Sequence, residues 1–84
     1  MTIAVAPGRY VEWIADEAIV LEPDTGRLHY LNAPAALMYG LIAEFGYAAA
    51  VVEFKHRTKS ASGADEALAE LVAAMLEKRL AVDD

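Results

Sequence analysis

The chain has 84 residues, 57% of them hydrophobic, with a formal net charge of −6 and no cysteine. A chain this short buries only about 60% of its unfolded surface, which is material for one core and not for two. The missing cysteines exclude disulfides and thiolate metal sites and suit a reducing cytosol, while the acidic balance works against nonspecific nucleic-acid binding, which needs Lys and Arg against phosphates.

The N-terminal run Met1-Thr2-Ile3-Ala4-Val5-Ala6-Pro7 is apolar but lacks the basic start and the length of a secretory signal. The expectation is a flexible leading segment over residues 1–8, a single domain over residues 9–84, and a cytoplasmic location. The apolar run Tyr47 to Val52, which no other exceeds, falls far short of the roughly 20 residues of a membrane span.

Three short runs rich in β-branched and aromatic residues follow: Arg9 to Ile14, Ala18 to Glu22 and Arg27 to Leu31. Asp16-Glu17 separates the first two, and Pro23-Asp24-Thr25-Gly26 the second two, which predicts a three-stranded antiparallel meander. With Asp24-Thr25-Gly26 as a three-residue loop, Leu21 faces His29 and Ile19 faces Leu31 on one side. Val20 then faces Tyr30, and Glu22 faces Leu28, on the other. Both faces carry apolar side chains, so helices must cover one of them, and the other is partly exposed or awaits a partner.

Helical spacing begins after Asn32, a good N-cap, with Pro34 tolerated in the first turn. Leu37, Met38, Leu41, Ile42 and Phe45 form one stripe, and Gly46 ends the helix. Tyr47 to about Arg57 reads as a second helix with Val51 and Phe54 inward. Its basic end, Lys55-His56-Arg57-Thr58-Lys59, suits the negative end of a helix dipole. A third helix starts from Ser62, Asp65 and Glu66 in a capping-box-like arrangement, and Leu68, Leu71, Val72, Met75 and Leu76 give its core-facing stripe. The fold class is therefore α+β, a three-stranded sheet followed by three helices.

Residues that carry chemistry are scarce. His29 and His56 stand in different elements without partners at metal-ligand spacing, so no metal and no cofactor is expected. Ser60 and Ser62 precede a helix, where capping accounts for them, and Asp16-Glu17 reads as a solvated turn. The glycines are scattered singly and form no phosphate loop. No catalytic residue is predicted, and the chain is not expected to be an enzyme.

The stretch from Val20 to Leu37, Val-Leu-Glu-Pro-Asp-Thr-Gly-Arg-Leu-His-Tyr-Leu-Asn-Ala-Pro-Ala-Ala-Leu, resembles the heart of the PqqD-like family. There a hydrophobic strand, a D/E-x-G turn, an aromatic-containing strand ending in Leu-Asn and a helix opening with small residues follow in this order. The third helix and Leu80 fall where the family places them, and the resemblance covers about Tyr10 to Val82. Met38 departs from a frequent Trp, Ala67-Leu68 from Asp-Val, and Arg79 from a Gly before the final leucine, which leaves the subfamily open.

The resemblance implies a winged-helix-like unit that acts as a recognition element, or peptide chaperone, for ribosomally made and post-translationally modified peptides. The precursor's leader segment would add as a strand beside Arg27, Leu28, His29, Tyr30 and Leu31, in a cleft faced by Leu68, Leu71, Val72, Met75 and Lys78. It would be presented to a separate modifying enzyme, such as a radical SAM protein, a cyclase or a leader protease. The four apolar helix residues would equally be apolar as plain core. Leu28 and Tyr30 are the better contacts, because they alternate with a core-facing Leu31.

Two other classes remain open at the level of sequence. A winged-helix DNA-binding regulator shares the element order, although Ala64 to Leu76 carries Asp65, Glu66 and Glu70 and no base. A non-catalytic adaptor subunit of another complex would need only an apolar patch. An exposed edge strand also permits a homodimer.

Overall fold

The structure is a computed structural model that describes residues 3–58 and 64–83. Five strands and three helices follow in the order β1 (Ile3–Val5), β2 (Tyr10–Ile14), β3 (Glu17–Glu22), β4 (Arg27–Leu31), α1 (Ala33–Phe45), α2 (Tyr47–Thr58), α3 (Ala64–Glu77) and β5 (Ala81–Asp83). The fold is α+β, with an antiparallel sheet in the order β2-β3-β4 and a separate two-stranded sheet β1-β5. None of the helices is long and apolar enough to cross a membrane.

The expected meander is present, but its register differs by one residue from the expectation. Ala18 pairs with Leu31, Ile19 with Tyr30, Val20 with His29, Leu21 with Leu28 and Glu22 with Arg27. The cause is the connection, which holds four residues and not three. Gly26 takes a left-handed φ of 77°. Its amide donates to the Glu22 carbonyl at 2.8 Å, and the Arg27 amide donates to Thr25 Oγ1 at 3.2 Å. A one-residue slip exchanges the cross-strand partners of a whole hairpin. Ala18, Val20, His29 and Leu31 therefore share the core face, and Ile19, Leu21, Leu28 and Tyr30 the open face.

The leading segment is also corrected. Ile3 to Val5 pairs antiparallel with Ala81 to Asp83, Ile3 and Ala6 are buried, and the Ala6 amide donates to the Leu80 carbonyl at 2.9 Å. The partner strand lies at the far end of the chain, so this order comes from a non-local pairing that the local pattern does not display.

α1 begins as read. The Asn32 side chain accepts from the Ala35 amide at 3.2 Å, and Pro34 lies in the first turn. It packs Ala36, Met38, Tyr39, Leu41 and Ile42 against Ala18, Val20 and Leu31 of the sheet. Tyr39 joins this core although the stripe omitted it, whereas Phe45, counted as core, is half exposed at the helix end where Gly46 turns the chain away. α2 contributes Ala50 and Phe54, and α3 contributes Leu68, Val72 and Met75. The proposed cap at Ser62, and the side chain of Asp65, lie outside the described residues.

α3 ends in a Schellman motif. The Leu80 amide donates to the Met75 carbonyl at 2.8 Å, and the Arg79 amide to the Leu76 carbonyl at 3.1 Å. Arg79 holds the left-handed position at φ 61°, which is the conformation that explains a preference for glycine there. Leu80, completely buried, follows into the core.

Candidate functional site

β4 is an edge of its sheet, paired with β3 alone among the described residues. Its outer edge therefore presents backbone amides and carbonyls without a strand partner. Beside it the start of α1 and the last turns of α3 enclose a pocket of about 210 Å³, lined by Tyr30, Leu31, Asn32, Ala35, Leu71, Ala74, Met75, Lys78 and Leu80.

Five of the ten sequence-predicted residues meet there: Tyr30 and Leu31 from β4, Leu71 and Met75 from α3, and Lys78 directly after its last residue. Leu71, Met75 and Lys78 follow one another at steps of four and three, so a single helix face carries them. Leu68 and Val72 point instead into the core and do not line the pocket. Leu28, two-thirds exposed, extends along the open face of the sheet, and Arg27 is exposed beside the turn.

Asn32, Ala35, Ala74 and Leu80 line the pocket without having been foreseen. The two alanines are legible afterwards as small residues that keep space open between α1 and α3. Asn32 had already been assigned to the helix cap, a role it also fills.

His29 has a different environment from its neighbours in β4. Its side chain turns to the core face, where Nε2 hydrogen-bonds the Glu22 carboxylate. Glu22 is buried, and Arg9 Nη2 stands 3.8 Å from its other oxygen. The Arg9 guanidinium also donates to the carbonyls of Pro7 and Arg79, each at 3.4 Å. The hydrogen bond from His29 holds the Glu22 carboxyl below its ordinary range, with the charge of Arg9 helping and burial opposing. The chain His29, Glu22, Arg9 and the Arg79 carbonyl thus ties β4 to the C-terminal end of α3, two walls of the pocket.

On the open face the Tyr30 hydroxyl has its pKa raised, first by its hydrogen bond to the Glu17 carboxylate and then by burial. α3 carries exposed Glu66, Glu70 and Glu77 and no basic residue within Ala64–Glu77, a charge pattern opposed to phosphate contact. Among the described residues no group of three or more His, Asp or Glu side chains is placed to hold a metal ion. Comparison with protein-family models, with curated proteins and with solved structures gives no match.

Proposed function

We propose that this chain is a PqqD-like, winged-helix-like recognition element that binds the leader segment of a ribosomally made precursor peptide and presents it to a separate modifying enzyme. The observation that carries the reading is the edge of β4 beside a pocket with an apolar floor. Main-chain hydrogen bonds to the free edge give affinity for any extended segment, and the pocket selects side chains at alternate positions. Leu31, Met75 and Leu80 supply that floor, Leu71 and Tyr30 its sides, and Lys78 a cation at the rim that suits an acidic residue of the peptide. The chain itself contributes binding and no catalytic group.

The test is calorimetry with a candidate leader peptide, chosen from any short reading frame found beside this gene. Tyr30→Ala removes an exposed anchor and is expected to weaken binding by about 1–3 kcal/mol with little loss of stability. A proline scan over Leu28, His29 and Tyr30 gives the sharper result. Successive strand amides point to opposite edges, so proline at alternate positions removes either a bond to β3 or a donor offered to the peptide. At the outward-pointing position the sheet is expected to survive, as circular dichroism reads it, while peptide binding falls at least tenfold. Unchanged affinity in every folded proline variant would place the peptide elsewhere.

A further inference from the structure

Trp13 belongs by register to the core face of the sheet, opposite the fully buried Ala18, yet its side chain is 48% exposed. The indole overhangs the sheet and rests on α1 at Gly40, where an added Cβ would stand 3.1 Å from Cη2. A glycine in mid-helix thus gives the ring its seat. The ring divides the surface into two hollows.

The hollow toward the start of α1 measures about 410 Å³ and is lined by Trp13, Ala15, Asp16, Ala33, Pro34 and Leu37. The one toward the end of α1 measures about 420 Å³ and includes Glu44, Phe45 and Arg57. Their chemistry differs. Arg57 brings a cation into the second and pairs with Glu53 at 2.8 Å. The first has one charged side chain, Asp16, which forms no ion pair or hydrogen bond among the described residues.

We propose that the hollow formed by Trp13, Asp16 and Pro34 receives a basic side chain, arginine or lysine, from a partner polypeptide. An indole attracts a cation, and the aliphatic stem of Arg or Lys matches the apolar walls given by Pro34, Leu37 and Ala33. The Asp16 carboxylate supplies the counter-charge at the rim. The positive end of α1 borders the hollow at Ala33, but its partial charge of about half a unit is smaller than the full charge of Asp16. Glu17 follows Asp16, and both carboxylates push the Tyr30 phenol toward a higher pKa, so this end of the sheet is negative in potential. The volume leaves room for an apolar neighbour beside the basic residue. This binding does not use β4 and stands apart from the strand-addition reading.

Trp13 is the only tryptophan in the chain, so its emission reports occupancy directly. The intact protein is titrated at low ionic strength with N-acetyl-Leu-Arg-amide and with the uncharged isostere N-acetyl-Leu-citrulline-amide. The arginine peptide is expected to produce a saturable change in the millimolar range and the citrulline peptide to bind about twofold to fivefold more weakly, as a surface cation–π contact allows. Asp16→Asn is expected to weaken the arginine peptide by a similar factor and to leave the citrulline peptide unchanged. Amide chemical shifts that move at Ala15, Asp16 and Leu37 place the contact. Equal midpoints for the two peptides, an Asp16→Asn variant that binds arginine like the parent, no saturable change, or shifts confined to other residues would overturn the proposal. In those cases Asp16 serves only as a turn residue beside a helix end.

Discussion

The two faces of the β2-β3-β4 sheet use similar residues toward opposite ends. On the core face Ala18, Val20 and Leu31 lose nearly all contact with solvent beneath α1. On the open face Tyr10, Ile14, Leu28 and Tyr30 remain 67%, 54%, 66% and 60% exposed. The polar residues are distributed against intuition, since the buried carboxylate, Glu22, is on the core face with His29, and the open face has Glu12 and Glu17 among its aromatics. Hydrophobicity therefore does not tell which face is inside. The face is decided by which side α1 covers, and the cross-strand partners by the length of one turn. A buried charge persists where a partner is fixed beside it.

The largest expected effect breaks this asymmetry directly. Val20→Asp puts an unpaired carboxylate into a fully buried position and is expected to destabilise by about 4 kcal/mol or more, a large part of the roughly 5–15 kcal/mol of an ordinary domain. Leu28→Asp, in the adjacent strand but on the open face, is expected to change stability by about 0.5 kcal/mol or less. Urea denaturation followed by circular dichroism measures both. Equal destabilisation of the two variants would mean that the open face is covered.

How much of this was legible in the sequence depends on the range of the interactions concerned. The helices and three central strands are local patterns, and the cap at Asn32 or the ends of β4 follow from a few adjacent residues. The register was not legible, because Pro23 reads equally as a strand end or a turn residue. Only the Gly26 amide reaching back to Glu22 decides for four residues. β1 was missed since its partner lies some eighty residues along the chain, at Ala81 to Asp83. In the cleft, α3 shows one broad apolar stripe. Its division into core alone (Leu68, Val72), pocket lining (Leu71) and both at once (Met75) depends on where β4 and α1 stand, which periodicity does not encode. Glu22 read as the last residue of a strand, facing Leu28, and no local pattern placed His29 and Arg9 beside it.

The second prediction sharpens the contrast between the faces through pH. Glu22 has a folded-state pKa below its ordinary 4.5, so the folded protein binds this proton less tightly than the unfolded chain. Its stabilising effect is complete above the unfolded value and is lost as pH falls through the folded one. Glu22→Gln is therefore expected to lower the melting temperature at pH 7 and to flatten the acid limb below pH 4.5, so that parent and variant converge in acid. Parallel melting curves from pH 7 to pH 3 would show that the His29 and Arg9 contacts do not stabilise the ionised carboxylate.

The smallest effect is expected from the corresponding carboxylate on the open face. Glu17 raises the Tyr30 pKa above the ordinary 10.0 by accepting the phenol's hydrogen bond and by its charge, a perturbation that favours the neutral phenol in the folded state. That contribution is complete below pH 10 and is lost only as pH rises through the folded pKa, so at neutral pH it is insensitive to pH. Glu17→Gln is expected to bring the Tyr30 pKa back toward 10.0, observed by carbon NMR of ring-labelled tyrosine, which separates Tyr30 from the buried Tyr39 whose pKa burial also raises. A Tyr30 pKa that stays equally far above 10.0 in Glu17→Gln would mean that Glu17 does not engage the phenol and that burial alone raises it.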